Sequence, residues 1–147
     1  MTDTNKTKTR LEEIYTRYDI LMKEFKEDCI FHKENMETQF NVTMLSSKWI
    51  TYTSEWNMLY RALEQKRKEI YRKLYQYYRL ESPLKISTKA ELDLFIESDP
   101  QYTTIYQECQ VIKEVIEFCK TGVEHMRNKA FEITRFIDWQ KFINGKL

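Results

Sequence analysis

Apolar residues recur every three or four positions along most of this chain, the interval that returns a side chain to the same face of an α-helix. The pattern predicts a first helix over about residues 10–28 and a second, longer helix over residues 41–80. Ser82-Pro83 marks the end of the second helix, because proline disfavours helical backbone in the residue before it. The stretch Cys29-Ile30-Phe31-His32 breaks the period and is predicted to be extended.

Two capping signals mark the helices that follow. Thr88-Lys89-Ala90-Glu91 has the form of a capping box, and the third helix that it starts is predicted to end near Ser98. Asp99-Pro100 then offers an N-cap and a proline at the first helical position. A fourth helix is therefore predicted over residues 100–145. Its apolar stripe consists of Tyr102, Ile105, Cys109, Ile112, Ile116, Cys119, Val123, Met126, Ala130, Ile133 and Ile137.

This stripe alternates steps of three and four residues, a spacing typical of helices that pack against a partner over many turns. A helix of this length measures about 60 Å, against a radius of gyration of about 15 Å for a compact chain of this size. We therefore expect one chain to leave much of the stripe exposed, and we predict a homo-oligomer. The predicted interface residues are Ile105, Ile112, Ile116, Val123, Met126, Ile133 and Ile137. The alternative is that the fourth helix folds back on the second helix within one chain.

The composition favours an all-α protein, because two glycines and two prolines are too few for the turns of a β-sheet protein. We predict one helical domain over residues 1–147, a bundle or coiled-coil-like arrangement of long helices, with a disordered tail over residues 1–9. Gly122 lowers helix propensity by about 1 kcal/mol relative to alanine, but the apolar period continues across it, so a bend is favoured over a break. No stretch approaches the roughly 18 apolar residues of a membrane span, and a cytosolic protein is expected.

Known catalytic and metal-binding patterns are missing from the sequence. It contains no GxxxxGK[ST] element, and its three cysteines form no CxxC pair. His32 and His125 are far apart and belong to no metal-binding motif. We therefore expect neither an enzyme nor a cofactor or metal site.

Positive charge is concentrated in one segment of the second helix. Residues 61–80 carry seven positive and two negative side chains, although the formal net charge of the whole chain is only +1. Within this segment, KRKEIYRKLYQYYR at residues 66–79 adds four tyrosines. At 100° per residue, the apolar seam of this part of the second helix consists of Leu59, Leu63, Ile70, Leu74 and Tyr77. Arg61, Lys68, Arg72, Tyr75 and Arg79 fall nearly opposite this seam, while Tyr60, Arg67, Tyr71 and Tyr78 line one flank and Lys66 and Lys73 line the other.

Such a surface is suited to single-stranded nucleic acid. Lysine and arginine bind phosphates by releasing counterions, and tyrosine rings stack on unpaired bases at about 1–3 kcal/mol each. The predicted DNA-binding residues are Arg61, Lys66, Arg67, Lys68, Tyr71, Arg72, Lys73, Tyr75, Tyr78 and Arg79. Two alternatives stay open, a solvated helical face whose tyrosines cover a neighbour and, more weakly, a face that binds an anionic membrane.

Several short motifs are shared with a known family. They are Met44-Leu45 followed by Ser47-Lys48-Trp49, the basic run ending in Tyr77-Tyr78, and the C-terminal pattern Phe118-Cys119, Phe131, Ile133, Asp138, Phe142 and Gly145-Lys146. From about residue 25 onward, the chain resembles the UvsY family, the recombination mediator proteins of T-even bacteriophages.

The resemblance implies a helical protein that assembles into a ring-shaped hexamer or heptamer and binds single-stranded DNA. It also implies two protein partners in the infected bacterial cytoplasm, a phage recombinase and the phage single-stranded-DNA-binding protein that this recombinase replaces on DNA. The processes implied are homologous recombination, recombination-dependent replication and repair. The family's DNA-contacting lysine and arginine lie in a Lys-Ala-Arg-Leu motif, and this place reads Arg72-Lys73-Leu74-Tyr75 here, so both Arg72 and Lys73 are candidates for the phosphate contact. A helical adaptor that binds only proteins is the competing interpretation.

Overall fold

The structure of the protein, a computed structural model, describes residues 9–30 and 38–145. Four α-helices and one π-helical turn make up its secondary structure, with no strand in these two ranges. They are α1 (Arg10–Asp28), α2 (Thr38–Gln76), the π turn (Tyr77–Glu81), α3 (Lys89–Ser98) and α4 (Pro100–Ile143). The prediction of an all-α fold is confirmed. Most of the predicted tail over residues 1–9, and Phe31 and His32 of the predicted extended stretch, lie outside the described residues.

Side-chain caps fix where the helices start. The hydroxyl of Thr88 accepts a hydrogen bond from the Glu91 amide at 3.2 Å, as the capping-box pattern predicts. A second capping box, which the sequence analysis missed, begins α1. There the Glu12 amide donates to the Thr9 hydroxyl, and the Thr9 amide donates back to the Glu12 carboxylate at 2.9 Å. Its signal, Thr9 followed by Glu12, is visible in the sequence.

Helix α2 ends in a wider turn than the sequence indicated. The amide of Ser82 donates to the carbonyl of Tyr77 at 2.9 Å, which closes the turn over five residues instead of four. Ser82 itself is extended, with φ −68° and ψ 139°, as expected for the residue before a proline. The predicted end of the second helix at Ser82-Pro83 is therefore confirmed, and α2 begins at Thr38 rather than at residue 41.

The described residues form two compact units. The first unit lies within Met1–Thr16 and Asn57–Glu114, and the second unit lies within Arg17–Trp56 and Val115–Leu147. Each unit therefore takes one segment from α1, one from α2 and one from α4.

The first unit contains a core where α3 packs on the end of α2. Leu74, Leu92, Ile96 and Tyr102 are buried together in this cluster. Ile86, in the connector before α3, and several tyrosines of α2 pack around it. Burial of an aliphatic side chain of this size contributes about 1.5–3 kcal/mol, so the cluster is sufficient to hold the short α3 in place.

The second unit is built around Trp49, which has no exposed surface. The rings of Phe25 and Phe118 meet the Trp49 ring edge-on at centroid distances of 5.6 and 6.0 Å. The indole Nε1 donates to a carboxylate oxygen of Asp28 at 3.0 Å, so its one polar group is satisfied inside the unit. A Cβ atom added to Gly122 would lie 2.9 Å from the Trp49 ring, which explains a glycine at this place.

A buried lysine closes the end of α1 in the same unit. Lys129 is 8% exposed, and its Nζ donates to the carbonyls of Asp28 and Ile30 at 2.7 and 2.9 Å. These carbonyls have no helical donor at a helix C-terminus, so the ammonium group supplies one and its charge complements the helix dipole.

The apolar stripe of α4 is covered within one chain. Ile112 and Met126 have no exposed surface, and Ile105, Ile116, Val123 and Ile133 are also buried, while Ile137 is half-buried. The expectation that a single chain leaves this stripe exposed is therefore wrong. Its buried members have almost no surface left with which to contact a second copy, whereas half-buried Ile137 keeps some. The alternative, packing within the chain, applies. Helix α4 also continues through Gly122 without a break.

Candidate nucleic-acid interface

Five cations of α2 project from the first unit into solvent. They are Arg61, Lys66, Lys68, Arg72 and Lys73. Within the part of the chain that the structure describes, none of the five forms a salt bridge or a hydrogen bond. Their charged ends are open to solvent and counterions, and a phosphate backbone gains most where it releases such counterions.

These five side chains follow two lines along the helix. Arg61, Lys68 and Arg72 are separated by seven and four residues, so they share one line that extends about 16 Å along the axis. Lys66 and Lys73, again seven residues apart, form a second line. The basic face, as we call this set of five, is thus an elongated surface suited to a linear polyanion.

Arg67, which the sequence placed in the same group, is engaged inside the first unit. Its guanidinium forms a salt bridge with Glu64, in which Nε donates to a carboxylate oxygen at 3.0 Å, and Nη1 donates to the Tyr102 hydroxyl at 2.7 Å. The hydrogen bond from Arg67 lowers the pKa of Glu64 and is the main reason that the pKa of Arg67 itself is raised. Arg67 therefore lies apart from the basic face and joins α2 to α4.

Two of the predicted tyrosines also have partners within the first unit. The hydroxyl of Tyr71 donates to Asp93 of α3 at 2.6 Å, and this bond raises the pKa of Tyr71 to about 12. The hydroxyl of Tyr78 donates to Asp99 at 2.8 Å, and its ring stacks on Phe95 at 5.9 Å. Both tyrosines attach α3 to the end of α2, which is the packing role named as an alternative in the sequence analysis.

Tyr75 lies on a different face from the one predicted. Helical geometry placed it opposite the apolar seam, but it is half-buried and packs against the core cluster. The reason is that α3 folds over this flank of α2. Arg79 is exposed, and its guanidinium lies 5.6 Å from the centre of the Tyr75 ring and donates to the Tyr75 hydroxyl.

Further candidates were missed because they stand outside the helical pattern. Tyr77 is 45% exposed on the π turn, although the sequence analysis counted it in the apolar seam. Lys85 and Lys89 are exposed in the connector and at the start of α3. The only indication in the sequence was that both lysines follow the basic run closely along the chain. A connector has no helical periodicity, so its residues cannot be assigned to a face.

No three His, Cys, Asp or Glu side chains come together as a possible metal site in the residues that the structure covers. Burial raises the pKa of the Cys119 thiol to about 11 and also raises that of Cys109, which keeps both thiols protonated near neutral pH. Among the described helices, none has a stretch both long and apolar enough to cross a membrane.

Comparison with known proteins then identifies the family. The family model described as "Recombination, repair and ssDNA binding protein UvsY" matches residues 24–146. The chain belongs to the UvsY family. The resemblance seen in the sequence from about residue 25 onward is thereby confirmed. No curated protein matches this UvsY-family chain.

Solved structures show that the fold is shared as well. A crystal structure of the bacteriophage T4 recombination mediator protein UvsY, lattice type IV, is similar with a TM-score of 0.79 and 20% identity, covering 86% of this chain and 98% of that one. The lattice type II structure gives a TM-score of 0.79 at 19% identity, covering 86% and 96%. The lattice type I structure gives 0.74 at 20% identity, covering 84% and 98%.

Proposed function

We propose that this UvsY-family protein binds single-stranded DNA through the basic face of α2. The observation that carries the proposal is that the five exposed cations of that face form no salt bridge or hydrogen bond among the described residues. A buried or paired cation contributes little binding free energy when it meets a phosphate. An exposed cation contributes more, because the phosphate replaces the counterions around it and releases them. The description of the matching family, which includes single-stranded-DNA binding, supports the same conclusion.

Unpaired strands suit this surface better than duplex DNA. Exposed aromatic groups stand at the end of the basic face, with Tyr77 on the π turn and the rim of Tyr75 beside Arg79. A base can stack on such rings only when it is free of its own helical stack. Phosphate contacts along α2 together with stacking at its end therefore favour a single strand.

We also propose a mediator role, supported by the family and by the likeness to the T4 recombination mediator. The protein helps a recombinase to replace a single-stranded-DNA-binding protein on DNA, in recombination, repair and recombination-dependent replication in the infected bacterial cell. Each contact along the basic face is weak, and several subunits presenting it together would hold an extended strand by multivalency. The mechanism needs no nucleotide hydrolysis by this chain.

We also propose a ring of six or seven copies, with an interface near the C-terminus of α4 rather than along the buried part of its apolar stripe. The stripe is buried, but Phe131, Trp139, Phe142 and Ile143 near the C-terminus of this helix are more than half exposed. The rings of Trp139 and Phe142 stack on each other at 6.1 Å, which forms one apolar surface. Exposed apolar surface of this kind on a helix end is suited to a second copy of the chain.

The double substitution Trp139→Lys and Phe142→Lys should split the assembly into smaller species while helical content is retained. Analytical ultracentrifugation measures the size of these species. The double change Thr121→Lys and Glu124→Lys, at exposed α4 positions outside that surface, is the control. An assembly of unchanged size in the Trp139 and Phe142 variant would exclude this surface as the interface.

Fluorescence polarisation with a labelled oligonucleotide tests DNA binding directly. The full chain should bind a single strand more tightly than the matched duplex, with affinity that falls as the salt concentration rises. Absence of binding to either strand form at low salt would reject the proposal and favour an adaptor that binds only proteins.

A further inference from the structure

A recess lies beside the basic face, between the end of α2 and the start of α3 in the first unit. It has a volume of about 260 Å³ and is lined by Tyr75, Arg79, Ile86, Ser87, Thr88, Lys89 and Leu92. Sites for drug-sized ligands span roughly 300–1,000 Å³. The recess is therefore of a size for one flat ring system rather than for a larger ligand.

The walls of the recess differ in chemistry. The half-buried ring of Tyr75 forms one wall, with the Arg79 guanidinium 5.6 Å from the ring centre. Leu92, which is 4% exposed, and half-buried Ile86 provide apolar surface. Lys89 and the hydroxyl groups of Ser87 and Thr88 supply polar groups. A flat aromatic ligand with polar edges matches such walls, because its face stacks on tyrosine and arginine while its edges meet hydrogen-bond donors.

Charge indicates that this ligand is attached to an anion. The lining contains two cations and no carboxylate. Capping hydrogen bonds already engage amide groups at the start of α3. The Glu91 amide donates to the Thr88 hydroxyl, and the Glu91 carboxylate accepts from the Ser87 amide at 3.0 Å. Attraction for an anion therefore comes from the side chains of Arg79 and Lys89 and not from helix α3 itself.

The π turn determines where this recess stands. It closes the end of α2 over five residues, from Tyr77 to Ser82, and Arg79 is in its middle. Tyr75, at the last regular turn of α2, and Arg79 consequently face the same recess. Wide turns of this kind occur often at functional sites.

We propose that the recess takes up one unstacked nucleobase of the bound single strand, with the base against Tyr75 and the adjoining phosphate beside Arg79 and Lys89. This inference rests on the proposed DNA binding by the basic face. It adds a place where the base, and not only the phosphate, is held. A duplex cannot supply such a base without opening.

The test compares two leucine substitutions on short oligonucleotides. Ser87→Leu fills the exposed mouth of the recess with an aliphatic side chain, and Ser98→Leu makes the same change at an exposed position at the other end of α3. Each variant is titrated with a strand carrying bases and with a strand of equal length made of abasic units. Circular dichroism of each variant checks that helical content is unchanged.

Ser87→Leu should lower the affinity for the strand with bases by roughly 5- to 150-fold, the range that one stacked base contributes, and leave the abasic strand unaffected. Ser98→Leu should match the wild type on both strands. If the two variants bind both strands like the wild type, the recess holds no base, although DNA binding itself stands. If the wild type binds neither strand, the proposed function fails, which is a separate result.

A crosslinking measurement on the unaltered protein is independent of how the variants fold. A strand containing 5-iodouracil is irradiated in complex with the full chain, and the modified peptide is sequenced by mass spectrometry. Crosslinks at Tyr75 are expected. Crosslinks confined to residues outside the recess would overturn the inference.

Discussion

The two halves of α2 carry basic residues in opposite surroundings. In the second unit, Lys48 forms salt bridges with Glu24 and Asp28, two carboxylates of α1. In the first unit, Lys68 and Arg72 project from the same helix into solvent and form no salt bridge or hydrogen bond among the described residues. A lysine that the fold has neutralised contributes to stability, whereas an exposed cation without a partner remains available to an anion from outside.

Aromatic residues follow the same division. Trp49 of the second unit is enclosed by other rings, with its single polar group satisfied by Asp28. In the first unit, Tyr71 donates to Asp93 within α3 and Tyr78 donates to Asp99 at its C-terminal end, whereas Tyr75 lines the recess and Tyr77 is exposed. Composition alone does not separate these roles, because each depends on the partner that the fold brings to the side chain.

The largest expected effect comes from removing charge from the first unit. Substitution of Lys68, Arg72 and Lys73 by alanine should lower single-strand affinity about 10²-fold at low salt, because each lost phosphate contact forfeits its released counterions. Helical content and assembly should be unchanged, since none of the three contacts the core. Fluorescence polarisation and analytical ultracentrifugation measure the two properties.

The matched control removes the same charge from the second unit. Lys23, Lys26 and Lys120 are exposed there, and their replacement by alanine gives the same net charge as the first variant. Affinity should fall far less. Equal losses in the two variants would mean that net charge, rather than the basic face, determines binding.

A substitution in the second unit should affect stability and not DNA binding. Gly122→Ala places a methyl group 2.9 Å from the ring of Trp49, whose position is fixed by Asp28 and two phenylalanines. Overpacking costs about 1–3 kcal/mol and helix propensity returns about 1 kcal/mol, so we expect a net loss of up to about 2 kcal/mol. Denaturant unfolding followed by tryptophan fluorescence reports on this unit, because all three tryptophans lie in it.

Thr121→Ala, at the exposed position next to Gly122, is the control and should stay within about 0.5 kcal/mol of the wild type. A Gly122→Ala variant as stable as the wild type would show that Trp49 can move aside.

The smallest expected effect concerns the attachment of α3. Tyr71→Phe removes the hydrogen bond to Asp93 and should cost about 1 kcal/mol at neutral pH. The pKa of Tyr71 is raised to about 12 in the folded state, from an ordinary value near 10, so the folded protein holds this proton more tightly than the unfolded chain does. The contribution is therefore complete below about pH 10 and is lost as the pH rises toward 12.

The difference in stability between wild type and Tyr71→Phe should accordingly shrink between pH 10 and 12. Tyrosine near-ultraviolet circular dichroism during unfolding measures it, and Tyr106→Phe, at an exposed tyrosine of the same unit, is the control. A difference that is constant with pH would contradict the role of the Tyr71–Asp93 bond.

The helices were predictable because their signals are local. The apolar period, the Thr88–Glu91 capping box and Ser82-Pro83 each act within a few residues, and the structure has α1 and α3 at the predicted bounds. Whether the α4 stripe is buried within one chain or between chains was not predictable in the same way. A step of three and four residues is equally suited to a partner helix in the same chain or in another one.

In the candidate site, the positions of the basic residues were predicted better than those of the tyrosines. Arg61, Lys68 and Arg72 lie exposed where the helical angle placed them. Tyr75 does not, because the connector from Pro83 to Thr88 directs α3 over its flank, and the direction of such a connector is set by tertiary packing. The contacts of Arg67 with Tyr102 on α4 and of Tyr71 with Asp93 on α3 follow from the same packing, and the local sequence does not indicate them.

The salt dependence of DNA binding tests the central claim most directly. Log affinity for a single strand is measured against log salt concentration for the wild type, for the Lys68, Arg72 and Lys73 variant, and for its second-unit control. Removal of three phosphate contacts should reduce the slope by about 2, at about 0.7 per contact, while the control keeps the wild-type slope. Equal slopes for all three proteins would contradict the assignment of the basic face as the phosphate-binding surface.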